Sequence, residues 1–426
     1  MPQNPVKILA KIPWLAIAGV TLACAAAFGQ PSVSVNPATA LGKPANLTLS
    51  IRCLAQDIKV GDPIPIEFTI TNEGTDDYLY LDRNYDRLFG RMWEYSLGAQ
   101  NALGKEMPNP ETVRGDGGGL GTHGKLAPGA SFQKTIDLNL WAMIRAPGVY
   151  QVTGTYDMSK ANFNNTQGSV ASKPISITVH PRTPAEMDAY VDGLLSELTV
   201  ALNNEEWPNE VVVKLMYTGS PRIVPGLLDL MYQTNESAGW VSQAILYYVP
   251  TSPAVLELLL DTAAKRGLTS SMDYILRNYG TGDMAKSAIT PKEMQPAIAR
   301  SLAEDNPGGW EPGALAAQHY GNDAYTPRLI AIAEQPRAAQ GIPEHSGRIQ
   351  AIYALALNRN DDSVMELKKL LASPDSATRS EVAMAIRMSY LYRGDSLGRP
   401  LLKDDFDESY QKDPNANNLA KTGTSN

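Results

Sequence analysis

A glycine-rich stretch between residues 119 and 125 has the spacing of a phosphate-binding loop. It reads GLGTHGK and places Lys125 where such a loop needs a lysine for the phosphates. The next residue is Leu126, where the motif needs a serine or threonine for magnesium. Pro128 and Gly129 then lead toward a strand, whereas the motif needs a helix whose N-terminal amides face the phosphate. The sequence therefore predicts a flexible loop and no nucleotide cofactor.

Three residues with side-chain oxygens alternate at Asp82, Asn84 and Asp86, as in the first half of a calcium-binding loop. Arg87 stands where the sharp turn needs a glycine, and Trp93 stands where the loop needs its bidentate glutamate. We interpret these residues as ordinary solvated turn residues. Calcium bound at an edge between strands stays open as the alternative.

The side chains that could serve zinc binding or nucleophilic catalysis are scattered along the chain. The histidines have no second ligand at metal-binding spacing, and the sequence has no Gly-x-Ser-x-Gly nucleophile motif. Cys53 lies in a strand-like context, which favours a buried structural thiol. We therefore expect no catalytic residue, no metal and no cofactor. The four histidines are His123, His180, His319 and His345.

The first 29 residues have the layout of a secretory signal. Lys7 and Lys11 precede an uncharged apolar run that ends in small residues. We expect cleavage after Gly29, with Ala27 as the other possible site. An uncleaved anchor stays open as an alternative, because the run is nearly long enough to cross a bilayer. A lipoprotein at Cys24 is the third reading, although this sequence lacks the leucine that the lipid-attachment motif has three residues earlier.

The mature chain is acidic and has a single cysteine. Loss of the two lysines of the signal changes the formal charge from −8 to −10. A protein with this negative charge binds nucleic acid poorly. It also lacks a basic cluster that could bind anionic lipid. No internal disulfide can form. We expect a protein, a peptide or an envelope polymer as partner, no nucleic acid, and membrane contact only through the signal segment if it is uncleaved. The predicted location is the periplasm, the cell surface or the medium.

Residues 45–181 follow a linker at residues 30–44 that is rich in Pro, Ser and Ala, and they show the period of two that is typical of half-buried strands. One such run contains Ile64, Ile66, Phe68 and Ile70, and turn signals such as Asn72-Glu73-Gly74 separate the runs. The segment from Tyr85 to Lys125 is glycine-rich, and we predict a long mobile loop there. Several short strands joined by Pro-Gly turns favour an antiparallel β-sandwich.

The order of these segments resembles Ig-like sandwich domains of bacterial envelope proteins. The matching pieces are KVGDPI around Val60–Asp62, the segment LAPGASF, and APGVYQVTGTY around Pro147–Tyr150. The Cys…Trp…Cys core of antibody domains is missing. The resemblance therefore implies an architecture and no activity.

From residue 182 to about residue 400 the period changes to that of helices. Thr183-Pro184-Ala185-Glu186 is a helix start, with Thr183 as N-cap and Glu186 completing a capping box. Glycines at positions 219, 267, 280 and 321 fall where helices are expected to end. Apolar segments recur at intervals in the thirties, which is the range of helical repeats. These segments begin near Ile223, Val255, Met294, Pro327 and Val364.

The last of these segments, VMELKKLLASPDSATRSEVAMAIRM, resembles a HEAT repeat, with Pro374-Asp375 in the turn and Arg379 in the second helix. The resemblance implies a right-handed stack of about five helix pairs whose second helices line a concave side. Aromatic residues, a histidine and an arginine on that side are the groups that a peptide or polysaccharide site would use. The candidate binding residues are Trp240, Tyr247, His319, Tyr320, Tyr353, Arg387 and Tyr390.

These patterns predict a multidomain protein of the β plus all-α class. They place an Ig-like β-sandwich at residues 45–181, a HEAT-like α-solenoid at residues 182–400 and a disordered tail at residues 401–426. The expected function is that of a non-enzymatic binding or scaffolding protein of the cell envelope. Two alternatives stay open: a hydrolase whose site is assembled in the solenoid groove, and a protease inhibitor that acts through a sandwich loop.

Overall fold

The computed structural model describes residues 46–83, 91–92, 94–110, 121–161, 168–204, 209–233, 238–280, 289–320, 323–336, 343–358 and 360–391. The predicted signal segment, linker and tail lie outside the described residues, as does most of the candidate calcium loop. The described part begins with antiparallel sheets and continues with helices. This confirms the predicted change from strands to helices along the chain.

The strands form three sheets within the described residues. One sheet has the order β1-β3-β7, a second has the order β2-β10-β8-β5 with β9 also paired to β8, and β4 pairs with β6. The β2–β10 pair is parallel and the other pairs are antiparallel. The strands are β1 (Leu47–Cys53), β2 (Ile58–Lys59), β3 (Pro65–Asn72), β4 (Tyr78–Arg83), β5 (Tyr95–Asn101), β6 (Gly121–Leu126), β7 (Ser131–Asp137), β8 (Gly148–Asp157), β9 (Ser169–Ala171) and β10 (Ile175–His180), with a short helix α1 (Met158–Ala161) after β8.

The alternating apolar residues of the strands meet in one hydrophobic core. Ile66, Phe68 and Ile70 of β3 are fully buried, and they share this core with Val152 and Tyr156 of β8. The ring of Phe68 meets the ring of Tyr95 edge to face, with 5.3 Å between the centroids. The two larger sheets therefore bury their apolar faces together, as the period of two predicts.

The predicted loop from Tyr85 to Lys125 is wrong at β5 and at the part of β6 that lies inside it, because both are strands. Tyr95, Leu97 and Ala99 of β5 are buried, while Ser96, Gly98 and Gln100 point to the other side of the sheet. Gly121–Leu126 pairs with β4 over its whole length, so the described part of the phosphate-loop-like stretch is a strand. Glycines and alanines obscure the alternation in the sequence, and pairing with β8 and β4 supplies the stability that the local pattern lacks.

The described chain after β10 consists of helices and the segments that connect them. A π-helical turn at Ala244–Tyr248 follows α5 directly. The helices are α2 (Pro184–Asn203), α3 (Asn209–Thr218), α4 (Val224–Gln233), α5 (Ala238–Gln243), α6 (Pro253–Arg266), α7 (Ser270–Asn278), α8 (Pro291–Ser301), α9 (Trp310–Tyr320), α10 (Thr326–Ala333), α11 (Pro343–Asn358), α12 (Asp361–Leu371) and α13 (Ser376–Leu391).

Several predicted helix ends are confirmed. Thr183 caps α2 in a capping box with Glu186, as predicted. The structure shows a second capping box of this kind, in which Thr290 caps α8. Gly219, Gly267 and Gly280 adopt positive φ angles close to the C-terminal ends of α3, α6 and α7, and Gly321 lies outside the described residues. Glycine is favoured there because a positive φ is strained for residues that have a Cβ.

The chain divides into two compact units, which we describe separately. The first compact unit contains Val33–Leu256 and Arg277–Ala288, and the second contains Glu257–Leu276 and Ile289–Asn426. The predicted domain boundary between residues 181 and 182 lies inside the first compact unit. Independent folding of the two predicted domains stays a prediction.

In the second compact unit, consecutive helices pack as pairs, and the second helices of neighbouring pairs also pack on each other. α8 packs on α9, α10 on α11 and α12 on α13, while α9 also packs on α11 and α11 on α13. A Cβ atom added at Gly347 would lie 2.6 Å from Cβ of Trp310. A Cβ added at Gly313 would lie 2.7 Å from Cβ of Ser301. These two glycines therefore permit α11 to approach α9, and α9 to approach α8, more closely than a larger residue would allow.

Candidate functional site

The predicted binding residues fall in both compact units. Trp240 of α5 and Tyr247 of the π-helical turn belong to the first, and Trp240 is 9% exposed while Tyr247 is partly exposed. His319, Tyr320 and Tyr353 belong to the second. Arg387 and Tyr390 lie on α13, but their side chains lie outside the described residues.

His319 and Tyr353 are partly exposed on the neighbouring helices α9 and α11. Tyr320 is 7% exposed, and its ring is perpendicular to the ring of His319 with 5.0 Å between the centroids. We therefore assign Tyr320 and Trp240 to packing, because a ligand would have little of either side chain to contact. His319 and Tyr353 keep the accessibility that a binding role requires.

A stripe of partly exposed side chains continues from His319 and Tyr353 along three helices. Its members are three or four residues apart on each helix, so they share one side of it. Corresponding members on α9, α11 and α13, such as Leu315, Ser346 and Ala377, are 31 residues apart in the sequence. We call this surface the stripe face, and it consists of Leu315, Gln318 and His319 of α9, Ser346, Ile349, Gln350 and Tyr353 of α11, and Ala377, Ser380, Glu381 and Met384 of α13.

Three side-chain contacts join the helices that carry the stripe face. Nε2 of Gln350 donates a hydrogen bond to Oε1 of Gln318 at 3.2 Å, which joins α11 to α9. Arg348, which is 3% exposed, pairs with the Glu381 carboxylate and donates a hydrogen bond to the Thr378 hydroxyl at 3.1 Å, which joins α11 to α13. The charge of Glu381 is thereby balanced by a buried guanidinium. The face can offer apolar contacts and neutral hydrogen-bonding groups to a ligand.

The sequence reasoning did not identify Leu315, Gln318, Ile349 or Gln350 as site residues. Their spacing could have indicated that Gln318 and Gln350 hold similar positions in the repeat. They are 32 residues apart, and each lies in the second helix of its pair. Neither residue is of the aromatic or arginine type that binding sites favour. Amides that are partly exposed on a packed helix face cannot be told from other surface glutamines without the burial pattern.

A second cluster of polar side chains lies in the first compact unit, between the strands and the helices. The Tyr217 hydroxyl of α3 donates a hydrogen bond to Oδ2 of Asp137 at 3.0 Å. The Tyr248 hydroxyl of the π-helical turn donates to the carbonyl oxygen of Asn139 at 3.2 Å, and Arg145 donates to the carbonyl oxygen of Tyr248. The rings of Tyr217 and Tyr248 lie 6.2 Å apart. We call these five residues the tyrosine junction.

Burial perturbs both partners of the Asp137–Tyr217 hydrogen bond. Loss of solvent raises the pKa of Asp137, and the hydrogen bond from Tyr217 partly offsets that rise. Loss of solvent, followed by the Asp137 charge, raises the pKa of Tyr217 well above its ordinary value. Perturbed groups can mark catalytic sites, but they also occur in structural networks. The contacts of the tyrosine junction fasten helices to strands, so we assign it a structural role.

Replacing Asp137 by asparagine should make stability less dependent on pH. Because the pKa of Asp137 is raised, the folded protein binds a proton there more readily than the unfolded chain does. The free energy of unfolding therefore falls as pH rises from the ordinary aspartate pKa through the raised pKa. Asparagine keeps an oxygen for Tyr217 and has no charge to bury. We expect Asp137→Asn to be at least as stable as the natural protein at pH 7, and to lose this advantage at low pH.

Urea denaturation across the pH range measures this effect, and Tyr217→Phe is the matched comparison. That variant leaves the Asp137 carboxylate without its hydroxyl partner, which should cost about 1–3 kcal/mol at pH 7. If Asp137→Asn instead destabilised the protein at pH 7 as much as Tyr217→Phe, the charge of Asp137 would be favourable and our account of its burial would be incorrect.

The described residues show neither a metal cluster nor a membrane helix. No three or more His, Cys, Asp or Glu side chains are placed there to hold a metal ion, and no helix in that part is long and apolar enough to cross a bilayer. Cys53 ends β1, is partly buried and donates to the carbonyl oxygen of Ala55 at 3.4 Å. Burial raises the pKa of its thiol. No protein-family model matches the chain, and a search of curated proteins finds no match.

Proposed function

We propose that this chain is an exported, non-enzymatic binding or scaffolding protein of the cell envelope, and that its ligand contacts the stripe face. The stripe face is the observation that carries the proposal. It repeats apolar and hydrogen-bonding side chains on three helices that pack in series. A repeated surface of this kind suits an elongated partner better than a small substrate.

The proposal includes a finer description of the fold. The strands would form an Ig-like sandwich, supported by the core that the two larger sheets share. The helices of the second compact unit would form a HEAT-like solenoid, supported by the paired and serial packing of α8 to α13. Export is supported by the charged, apolar and small-residue segments of the first 29 residues.

A pull-down from envelope extract tests the proposal, with residues 30–426 as bait. Tyr353→Ala combined with Ile349→Ala should abolish capture of the partner, because both side chains contribute apolar contact area to the stripe face. Lys368→Ala is the control, since Lys368 is exposed on α12. Circular dichroism must show that each bait is folded. If all three baits captured the same partners, the stripe face would not be the surface that binds them.

One observation favours the protease-inhibitor alternative. The hairpin after β5 presents Leu103, which is 92% exposed, at its tip. The Asn101 side chain accepts hydrogen bonds from the backbone N–H groups of Leu103 and Lys105, each at 3.0 Å, so the tip is held in one conformation. The same pull-down with a fourth bait, Leu103→Ala, distinguishes the two functions. Capture of a secreted protease that depends on Leu103 and not on Tyr353 would replace the stripe-face proposal.

A further inference from the structure

In the first compact unit, the helices are attached to the strands at the start of α2 and again at the tyrosine junction. At the start of α2 the chain itself passes from β10 into the helix. Arg182 in that connection pairs with the carboxylate of Asp62, which lies between β2 and β3. Nζ of Lys59 and Oε1 of Glu186 form another ion pair there at 3.0 Å. This attachment is therefore a covalent connection that ion pairs reinforce.

At the tyrosine junction the attachment depends on side chains. The Tyr217 hydroxyl of α3 donates to Asp137 at the end of β7 at 3.0 Å. The Tyr248 hydroxyl of the π-helical turn donates to the carbonyl oxygen of Asn139 at 3.2 Å, and Arg145 donates to the carbonyl oxygen of Tyr248. α3 packs on the π-helical turn. Loss of these hydrogen bonds therefore releases both elements together, while the start of α2 stays attached.

We propose that the tyrosine junction is a pH-dependent latch: protonated Asp137 holds α3 and the π-helical turn on the strands, and ionised Asp137 lets them open. This inference goes beyond the binding function and does not depend on the stripe face. Tyr217 is 6% exposed and covers Asp137 from the side of the helices, so closing the latch removes water from the carboxyl group. An ionised carboxylate loses more solvation free energy there than a neutral carboxylic acid does.

The groups around Asp137 agree with this direction. Burial raises the pKa of Asp137, and the hydrogen bond from Tyr217 only partly offsets the rise. The charged and titratable groups of the neighbouring elements are Glu67 of β3, Glu210, Lys214 and Tyr217 of α3, Tyr247 and Tyr248 of the π-helical turn, Arg91 and Arg145. Both carboxylates in this set are paired with cations, and both arginines donate to backbone carbonyl oxygens.

The sign of the pH dependence follows from the raised pKa. The closed latch binds the proton of Asp137 more tightly than the open latch does, so protonation favours closure. This contribution is complete below the ordinary aspartate pKa and is lost as pH rises through the raised pKa. Each unit by which the pKa is raised weakens closure about tenfold at neutral pH.

Amide hydrogen exchange of residues 30–426 between pH 4 and about pH 7.5 tests the latch. Because the latch opens while the sheet core stays folded, the amides of α3 should exchange faster than those of β3 and β8 at every pH. Comparison with Asp137→Asn at the same pH cancels the pH dependence of the exchange chemistry. The natural-to-variant ratio of exchange rates in α3 should rise with pH, by about tenfold for each unit by which the pKa of Asp137 is raised.

Asp57→Asn is the matched control, because it makes the same change at an exposed position between β1 and β2, and its ratio should not change with pH. If Asp137→Asn does not fold, Tyr217→Phe replaces it. Tyr217→Phe removes the hydrogen bond that offsets the raised pKa, so α3 should exchange increasingly faster than in the natural protein as pH rises. An Asp137→Asn ratio that is the same at both ends of the pH range would overturn the latch. So would equal exchange rates in α3 and β3, because α3 would then open only when the whole unit unfolds.

Discussion

Replacing Leu367 by alanine is expected to lower the free energy of unfolding of the second compact unit by about 2–5 kcal/mol. Leu367 lies on α12 and is fully buried, as are Val382, Ala385 and Ile386 of the adjacent α13. Removing its side chain loses the transfer free energy of three carbon atoms and leaves a cavity between the two helices. Urea denaturation followed by helical circular dichroism measures the change.

The control for this variant is its neighbour Lys368. Lys368 is exposed on the same helix, so Lys368→Ala should change the stability by less than about 0.5 kcal/mol. Amide hydrogen exchange then shows where the damage lies. Because neighbouring contacts carry the stability of stacked helix pairs, Leu367→Ala should reduce protection in α10 to α13 and leave α4 protected. An equal loss in α4 would contradict two separate units.

Replacing Gly154 by alanine is expected to destabilise the sheet core by about 1–3 kcal/mol. A Cβ atom at this position of β8 would lie 2.8 Å from Cγ2 of Ile51 and 2.9 Å from Cε1 of Phe68. Both of those residues belong to the buried core, so neither can move without disturbing other contacts. The transition measured by near-ultraviolet circular dichroism should move to lower urea concentration.

Gly98→Ala is the matched control in the adjacent strand. Gly98 lies opposite Thr153 in the β5–β8 pair, and a Cβ added to it would meet no atom within 4 Å. Alanine loses less backbone entropy on folding than glycine does, so Gly98→Ala should be neutral or slightly stabilising. If the two variants were equally destabilising, the cause would be a general property of glycine in strands and not the close packing at Gly154.

The proposed function gives the two compact units different roles. The stripe face belongs to the second unit, whereas the first unit supplies the strands and the tyrosine junction. Variants at Asp137 and Tyr217 should therefore change stability without changing which partner is captured. Variants at Tyr353 and Gln350 should change capture with little change in stability, because these side chains are partly exposed.

Local signals in the sequence determined where many elements begin and end. The capping box of Thr183 and Glu186 and the glycines at positions 219, 267 and 280 were all readable in advance. Each depends on groups within a few residues of each other, such as a hydroxyl that accepts from a backbone N–H three residues later. The alternation of Ile66, Phe68 and Ile70 was also readable, since one face of their strand must be apolar to be buried.

Only the tertiary structure decided which strands pair and which side chains contact each other. β5 forms because β8 offers it a partner, although Gly98 and Ala99 obscure its period. Tyr217 meets Asp137 across 80 residues of sequence, and Gln350 meets Gln318 across 32. Such contacts depend on how whole elements pack, and no local pattern encodes them. Periodicity shows which face of an element is buried, but the neighbours that bury it, and the side chains left accessible, are set only when the elements pack together.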